Sequence, residues 1–254
     1  MRTKEDKERF DMEYIKKKVL GNKRKYWYRM ITMCLEKEWR KINHKKVYRI
    51  MRKYNLLAKI RRRNPYKQIQ KATKEHMTKK NILNRNFKWI EPLKKLWTDI
   101  TYIRFEWKWM YLSVLKDMIT WEIISSKISN NIWLEFVNKT IDKLKRKYSK
   151  ERLKWTIIHS DQWFHYTHPI YCKKIKKLWC IQSMSRKWNC IDNSPTESFF
   201  GHLKDEIDIT WCKSFNEVEK YIKNYIYYYN NKRPQWKRKK MTPVEYRDHL
   251  LSLI

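Results

Sequence analysis

Trp97-Thr98-Asp99-Ile100-Thr101-Tyr102-Ile103 is a run of β-branched and aromatic residues with a single carboxylate in its middle. That is the composition of a buried strand, expected over Thr98 to Phe105, and it delivers Asp99 from a rigid element. Asp161 closes a second β-branched run, Thr156-Ile157-Ile158-His159-Ser160-Asp161. Glu197 stands in Ser194-Pro195-Thr196-Glu197-Ser198-Phe199-Phe200, where a helix is expected. Thirty-five residues lie between Asp161 and Glu197. Three hard oxygen ligands on separate elements can hold two divalent cations, Mg2+ or Mn2+, roughly 3.5 to 4 Å apart, which activate an attacking oxygen and stabilise a leaving one in phosphoryl transfer.

Each carboxylate also has an ordinary reading. Ser194 to Glu197 is a capping box with Pro195 at the first helical position, so Glu197 needs no metal. Asp161 can cap a turn, and Asp99 can pair with one of many lysines. Singly, these readings hold their own against the metal site.

Outward from these residues, strand-like runs follow at Met110 to Asp117 and Glu122 to Ile128. A helix is expected over Asn131 to Tyr148, a strand over Trp155 to His159, a helix over Pro169 to Leu178 and a short strand near Cys180 to Met184. Three neighbouring strands followed by alternation describe an α/β fold, a mixed sheet flanked by helices of the ribonuclease-H-like kind. Residues 1–62 read as a mostly helical, all-α module in which Asn43 caps a basic helix carrying Lys45, Lys46 and Arg49, suited to docking on DNA. Residues 63–95 read as a basic connector, 96–210 as the catalytic core and 211–254 as a helical C-terminal extension. In that extension Ser214 with Glu217, and Thr242 with Glu245, fit capping boxes, and Val218, Tyr221, Ile222, Tyr225, Ile226, Tyr228 and Tyr229 form an aromatic-rich face for burial against the core rather than for base stacking.

Lys and Arg total 61 against 26 Asp and Glu, a net charge of +35 over 254 residues. Such a field favours a polyanion through counterion release, and nucleic acid is the default partner. No apolar run is long enough to cross a membrane and the N-terminus has no apolar signal core, so a cytoplasmic protein is expected. Five cysteines without a Cys-x-x-Cys pair argue against both a disulfide framework and a zinc ribbon. His165, His168 and Cys172 match no common zinc spacing.

The segments 97–103, 159–162, Gln182-Ser183-Met184-Ser185-Arg186-Lys187, 189–200 and Thr242-Pro243-Val244-Glu245-Tyr246 resemble the second-frame product of insertion sequences in the IS-three group, within the DDE superfamily of transposases and retroviral integrases. The resemblance covers nearly the whole chain, with Tyr26 to Arg29 and Asn43 to Arg49 similar to the family's helix-turn-helix-like segment. It implies a transposase in which Asp99, Asp161 and Glu197 are the catalytic metal ligands for two Mg2+ ions. It also implies that Lys204, Arg186 and Lys187 lie against DNA. Water or a hydroxyl would free a 3′-OH at the element end, which then attacks the next strand, with no covalent protein intermediate. Neither Ser160 nor any tyrosine is therefore nominated as a nucleophile. The implied partners are the terminal inverted repeats and target DNA, a second copy of the chain on DNA, and an upstream-frame product fused by ribosomal slippage. A catalytically inactive DNA-binding relic and a nuclease that cuts without joining are the competing readings.

Glycine occurs twice and tryptophan 14 times, whereas about 7% glycine would give roughly 18 in this length. Where similar chains carry glycine, this one has Trp27, Trp163 and Trp188. Trp39, Trp107, Trp121, Trp133, Trp155 and Trp179 also stand at glycine-like positions, while Trp97, Trp109 and Trp236 suit tryptophan. UGA codons written as Trp but translated as Gly would account for both counts. A decayed element is the alternative.

Overall fold

The structure, a computed structural model, describes residues 4–58, 82, 91–185 and 194–253, and of residues 4–7 and 194–197 it describes the backbone alone. Most of the expected connector, with Arg186, Lys187, Trp188 and Cys190, lies outside the described residues.

Two compact units are present. The first holds α1 (Lys4–Gly21), α2 (Tyr28–Lys37) and α3 (His44–Lys53), together with the segment Pro234–Met241 from far along the chain. Ile15, Val19, Ile31, Leu35, Val47, Ile50 and Met51 form its core, at the helical spacing that puts them on the facing sides of three short helices. Asn43 caps α3, its side chain accepting from the Lys45 amide at 2.9 Å. Within this unit the returning segment sets Trp236 against His44, ring centroids 5.7 Å apart, and under the Arg29 guanidinium at 5.4 Å. Lys240 pairs with Glu36 at 2.6 Å.

The second unit is a five-stranded sheet of order β3-β2-β1-β4-β5, formed by β1 (Lys95–Phe105), β2 (Lys108–Asp117), β3 (Ile123–Ser129), β4 (Ile157–Ser160) and β5 (Ile181–Met184). The β1–β2 and β2–β3 pairs are antiparallel, and the β1–β4 and β4–β5 pairs are parallel. This is the mixed sheet expected from the order of elements. Tight loops serve the hairpins, and helical crossovers serve the parallel pairs.

Both faces are covered, which is why these strands carry apolar residues on both sides. On one face Leu96, Ile100, Leu115 and Ile158 pack with α4 (Leu134–Lys147), α6 (Phe164–Thr167) and α7 (Pro169–Lys177), and with Leu153 of α5 (Lys150–Leu153). On the other, Ile103, Met110, Leu112 and Val114 pack with α8 (Ser194–Glu206) and α9 (Phe215–Asn231). The face of α9 read as buried is so at Val218, Ile222, Tyr225, Ile226 and Tyr229, whereas Tyr221 and Tyr228, at its margins, are only half-buried. Thr242 and Glu245 form the full capping box of α10 (Pro243–Leu251). At α9, Ser214 caps the Glu217 amide, but the Glu217 carboxylate reaches back to Lys213.

Several tryptophans sit where their backbone is strained. Trp39, Trp121, Trp155 and Trp179 have φ of 63, 68, 66 and 59°, the left-handed region that costs a side-chain-bearing residue roughly 1–2 kcal/mol. Trp39 is 94% exposed and Trp155 67%, so burial returns little of that cost, whereas Trp97 is 3% exposed and packs on Met118 in the interior.

Candidate active site

Alternation along β1 sends Leu96 and Ile100 to the α4 and α7 side and Ile103 to the side of α8. Asp99 stands opposite Val114 of β2 and shares that second face, against which α8 packs on β1. In the parallel pair Trp97 lies opposite His159. The paired register ends there; carried on by two residues, just past the end of β4, it sets Asp99 level with Asp161 on adjacent strands whose backbones lie about 5 Å apart.

Local hydrogen bonds hold both in place. Asp99 accepts from the Ile100 amide at 2.8 Å, and Asp161 accepts from the Trp163 amide at 3.1 Å, where α6 begins. The loop after β4 is tied to the end of β5, because Gln162 Nε2 donates to the Ser185 carbonyl at 3.0 Å. Upstream, His159 Nδ1 meets Ser183 Oγ at 3.0 Å. Ser160 is buried and donates its hydroxyl to the Asp161 carbonyl at 2.9 Å, so it is not presented as a nucleophile.

Two phenols register the field of the pair. Burial raises the Tyr102 hydroxyl above its ordinary pKa, and the Tyr111, Asp161 and Asp99 groups add to that. Tyr166, fully buried and 3.5 Å from the Thr98 hydroxyl, is raised by burial and then by Asp99 and Asp161. Both carboxylates therefore act on the same small region. Tyr102 also heads an exposed aromatic group, with ring centroids 5.5 Å from Tyr111, 6.0 Å from Trp163 and 6.4 Å from Trp109. Its place in Asp-Ile-Thr-Tyr was visible in the sequence, but not its company.

Glu197 lies in the first turn of α8, and its side chain is outside the described residues. The position of α8 is fixed by Phe199, Phe200 and Leu203 in the apolar layer and by a buried ion pair: Arg233 donates to Glu206 at 2.6 and 3.0 Å, and Tyr225 donates to the same carboxylate at 3.0 Å. Burial by itself lowers the Arg233 pKa, and the Glu206 charge outweighs that and leaves it raised. Burial, then the Arg233 and Lys116 charges, hold the His202 imidazole down to about 3. A neutral His202 makes its 4.0 Å approach to Glu206 no ion pair. Reading the sequence missed the Glu206–Arg233 pair, since nothing local marks a carboxylate that will meet a distant guanidinium.

Of the basic residues singled out, Lys45 is exposed, Lys46 pairs with Asp11 at 2.6 Å and Arg49 with Glu8 at 2.6 Å, both partners on α1. Lys204 lies on α8, two turns beyond Glu197. The histidines and cysteine rejected as a zinc site have other work: His168 caps α7, His165 bonds the Ile132 carbonyl, and the Cys172 thiol contacts the Tyr166 and Thr167 carbonyls. Among the described residues no three His, Cys, Asp or Glu side chains gather as a metal site. Asp99 and Asp161 alone offer anionic oxygen donors, which suit a hard divalent cation over a soft one.

Comparison with known proteins agrees with the fold. An integrase core domain model matches residues 197–251, and an HTH-like domain model matches residues 5–64. The chain is similar to the putative transposase InsK for insertion sequence element IS150 of Escherichia coli K12, with 34% identity over 89% of this chain and 79% of that protein. It is also similar to an uncharacterized transposase-like protein of Haemophilus influenzae, with 37% identity over 84% of this chain and 96% of that one. Among solved structures, the HTLV-2 integrase catalytic core in complex with magnesium superposes with a TM-score of 0.51 at 11% identity, over 62% of this chain and 97% of that one.

The fold and the domain matches define an integrase-type polynucleotidyl transferase with a DNA-binding helix-turn-helix-like module. The chain belongs to the IS3 family of insertion-sequence transposases, and none of its described helices is long and apolar enough to cross a membrane.

Proposed function

We propose that Asp99, Asp161 and Glu197 are the catalytic carboxylates of this transposase and together hold two divalent cations, Mg2+ or Mn2+, for strand cleavage and strand transfer at the ends of its element. The observation that supports the reading is the parallel register of β1 with β4, which continued by two residues sets Asp99 level with Asp161, together with the packing of α8, the helix of Glu197, against β1. Bound cations would supply Lewis acidity to the scissile phosphate and an activated attacking oxygen. The chain itself provides the rigid geometry. Both aspartates are pinned by backbone amides, and Gln162 ties the loop after Asp161 to β5. The Glu206–Arg233 pair fixes the helix that bears Glu197.

Residues 1–62 serve as the reader of the terminal inverted repeats, 63–95 as a basic connector along the phosphates, 96–210 as the catalytic core and 211–254 as its helical extension. Lys45, Lys46 and Arg49 on α3, with Arg186, Lys187 and Lys204, contact DNA. Two or more copies act together on the paired ends and the target. An upstream-frame product extends the N-terminus, and the protein works in the cytoplasm.

The test is a duplex oligonucleotide carrying the element end. The purified chain should join it to target DNA with Mg2+ and should form no product in EDTA. Cleavage without joining would favour a nuclease, and binding without cleavage a relic.

The α1 ion pairs give a separate expectation. Lys53 and Arg49 both bond the Glu8 carboxylate and hold it below the usual carboxylate range. Glu8→Gln releases two cations to phosphate. Affinity for the element end should rise several-fold, and the salt dependence should steepen by about one phosphate contact for each cation gained. A fluorescence-anisotropy titration over a range of salt reads both, and weaker binding would show that the pairs position α3 for DNA.

A further inference from the structure

The tryptophans this core does not use share a local geometry. At the end of α2, the Trp39 amide bonds the Glu36 carbonyl and the Arg40 amide bonds the Leu35 carbonyl. At the end of α7, Trp179 bonds Lys176 and Cys180 bonds Ile175 in the same way. Both pairs of bonds make the Schellman ending, whose left-handed residue is usually glycine and sometimes asparagine. The equivalent ending of α3 obeys the rule, with Asn55 at φ 51°. Trp155 follows Lys154 (φ −55°, ψ 128°) at φ 66° in a turn closed by the Thr156 amide on the Leu153 carbonyl, a type II turn whose third position calls for glycine. Trp121, at φ 68°, closes the loop between β2 and β3.

Four more occupy milder versions of the same setting. Trp27, Trp133 and Trp163 are the N-caps of α2, α4 and α6, and none gives a side-chain cap hydrogen bond. Glycine is accepted at that position as readily as threonine, and large side chains are not. Trp107 is the second residue of the two-residue loop joining β1 and β2, and there the left-handed residue is Glu106, at φ 51°, so for Trp107 the argument is its 74% exposure at a turn and not its backbone. Trp97 is unlike all of these, being a strand residue in the interior.

We infer that Trp27, Trp39, Trp107, Trp121, Trp133, Trp155, Trp163 and Trp179 are glycines in the working protein, inserted at UGA codons that the host reads as glycine, and that Trp97 and Trp236 are true tryptophans. The turn geometry carries this inference without reference to the reaction, so it stands or falls separately from the assignment of the carboxylates. It also bears on them, because losing the Trp163 indole removes a ring that packs 6.0 Å from Tyr102 beside Asp161 and widens the approach to the site.

Three measurements test it. In the gene, the eight codons should be UGA and that of Trp97 UGG; UGG at the four left-handed positions overturns the inference. Peptide mass spectrometry of the protein made in its own host should read glycine at 39, 121, 155 and 179, and tryptophan there overturns it equally. In vitro, a chain carrying Trp39→Gly, Trp121→Gly, Trp155→Gly and Trp179→Gly should melt several degrees above the chain as written. Trp97→Gly should melt below it. A quadruple variant that melts no higher removes the structural argument.

Discussion

Asp161→Asn is expected to reduce strand joining by about a thousandfold or more, the scale seen when one pre-organised electrostatic group at a reacting centre is lost. The substitution keeps the size of the side chain and the oxygen that accepts from the Trp163 amide, but it removes the negative charge a hard cation requires. In the proposed site Asp99 and Asp161 are like charges brought close together, so neutralising one also relieves repulsion between them. The melting temperature should therefore hold or rise while activity collapses, and a site that exists only for folding would show the reverse. Binding of the element end in EDTA should be unchanged. Joining within tenfold of the unsubstituted chain would remove Asp161 from the catalytic set.

Arg233→Met should destabilise the sheet-containing unit by about 3–5 kcal/mol, the cost of stranding one member of a buried ion pair. The stranded group is Glu206, which would keep only the Tyr225 hydroxyl among the partners described above, in a site closed to water. Replacing both, with Glu206→Leu alongside Arg233→Met, should recover most of the loss, because two apolar side chains of similar volume have no charge to desolvate. Urea denaturation of the single and double variants measures the difference. A loss below about 1 kcal/mol for the single variant would mean that water reaches the pair and that α8 is held by its apolar residues alone.

Much of the core was legible because its signals are local. The β-branched run around Asp99 and the alternation along β2 marked strands, and their order marked a mixed sheet. Asn43, Ser214 and Thr242 announced helix starts through side chains that bond amides two or three residues away. The adjacency of Asp99 and Asp161 depends instead on a parallel register between segments some sixty residues apart in sequence, which no local pattern encodes. Glu206 and Arg233 looked like any other charges in a chain rich in them, since burial is a property of packing and only the folded helices supply it. The region 211–254 read as one extension because its composition is uniform, and nothing in Pro234 to Met241 signals that this stretch belongs with the N-terminal helices.

That detour limits how the molecule can be dissected. The polypeptide completes α9, contributes eight residues to the N-terminal unit, and only then returns to make α10, so the two bodies are laced together by more than one covalent crossing. A recombinant reader ended after α3 would lack the indole lying against His44 and the amine that neutralises Glu36. Exchanging readers between such enzymes is therefore a graft with two separate inserts, and a design that moves only the first should give a module that binds DNA poorly because part of its own interior was left behind.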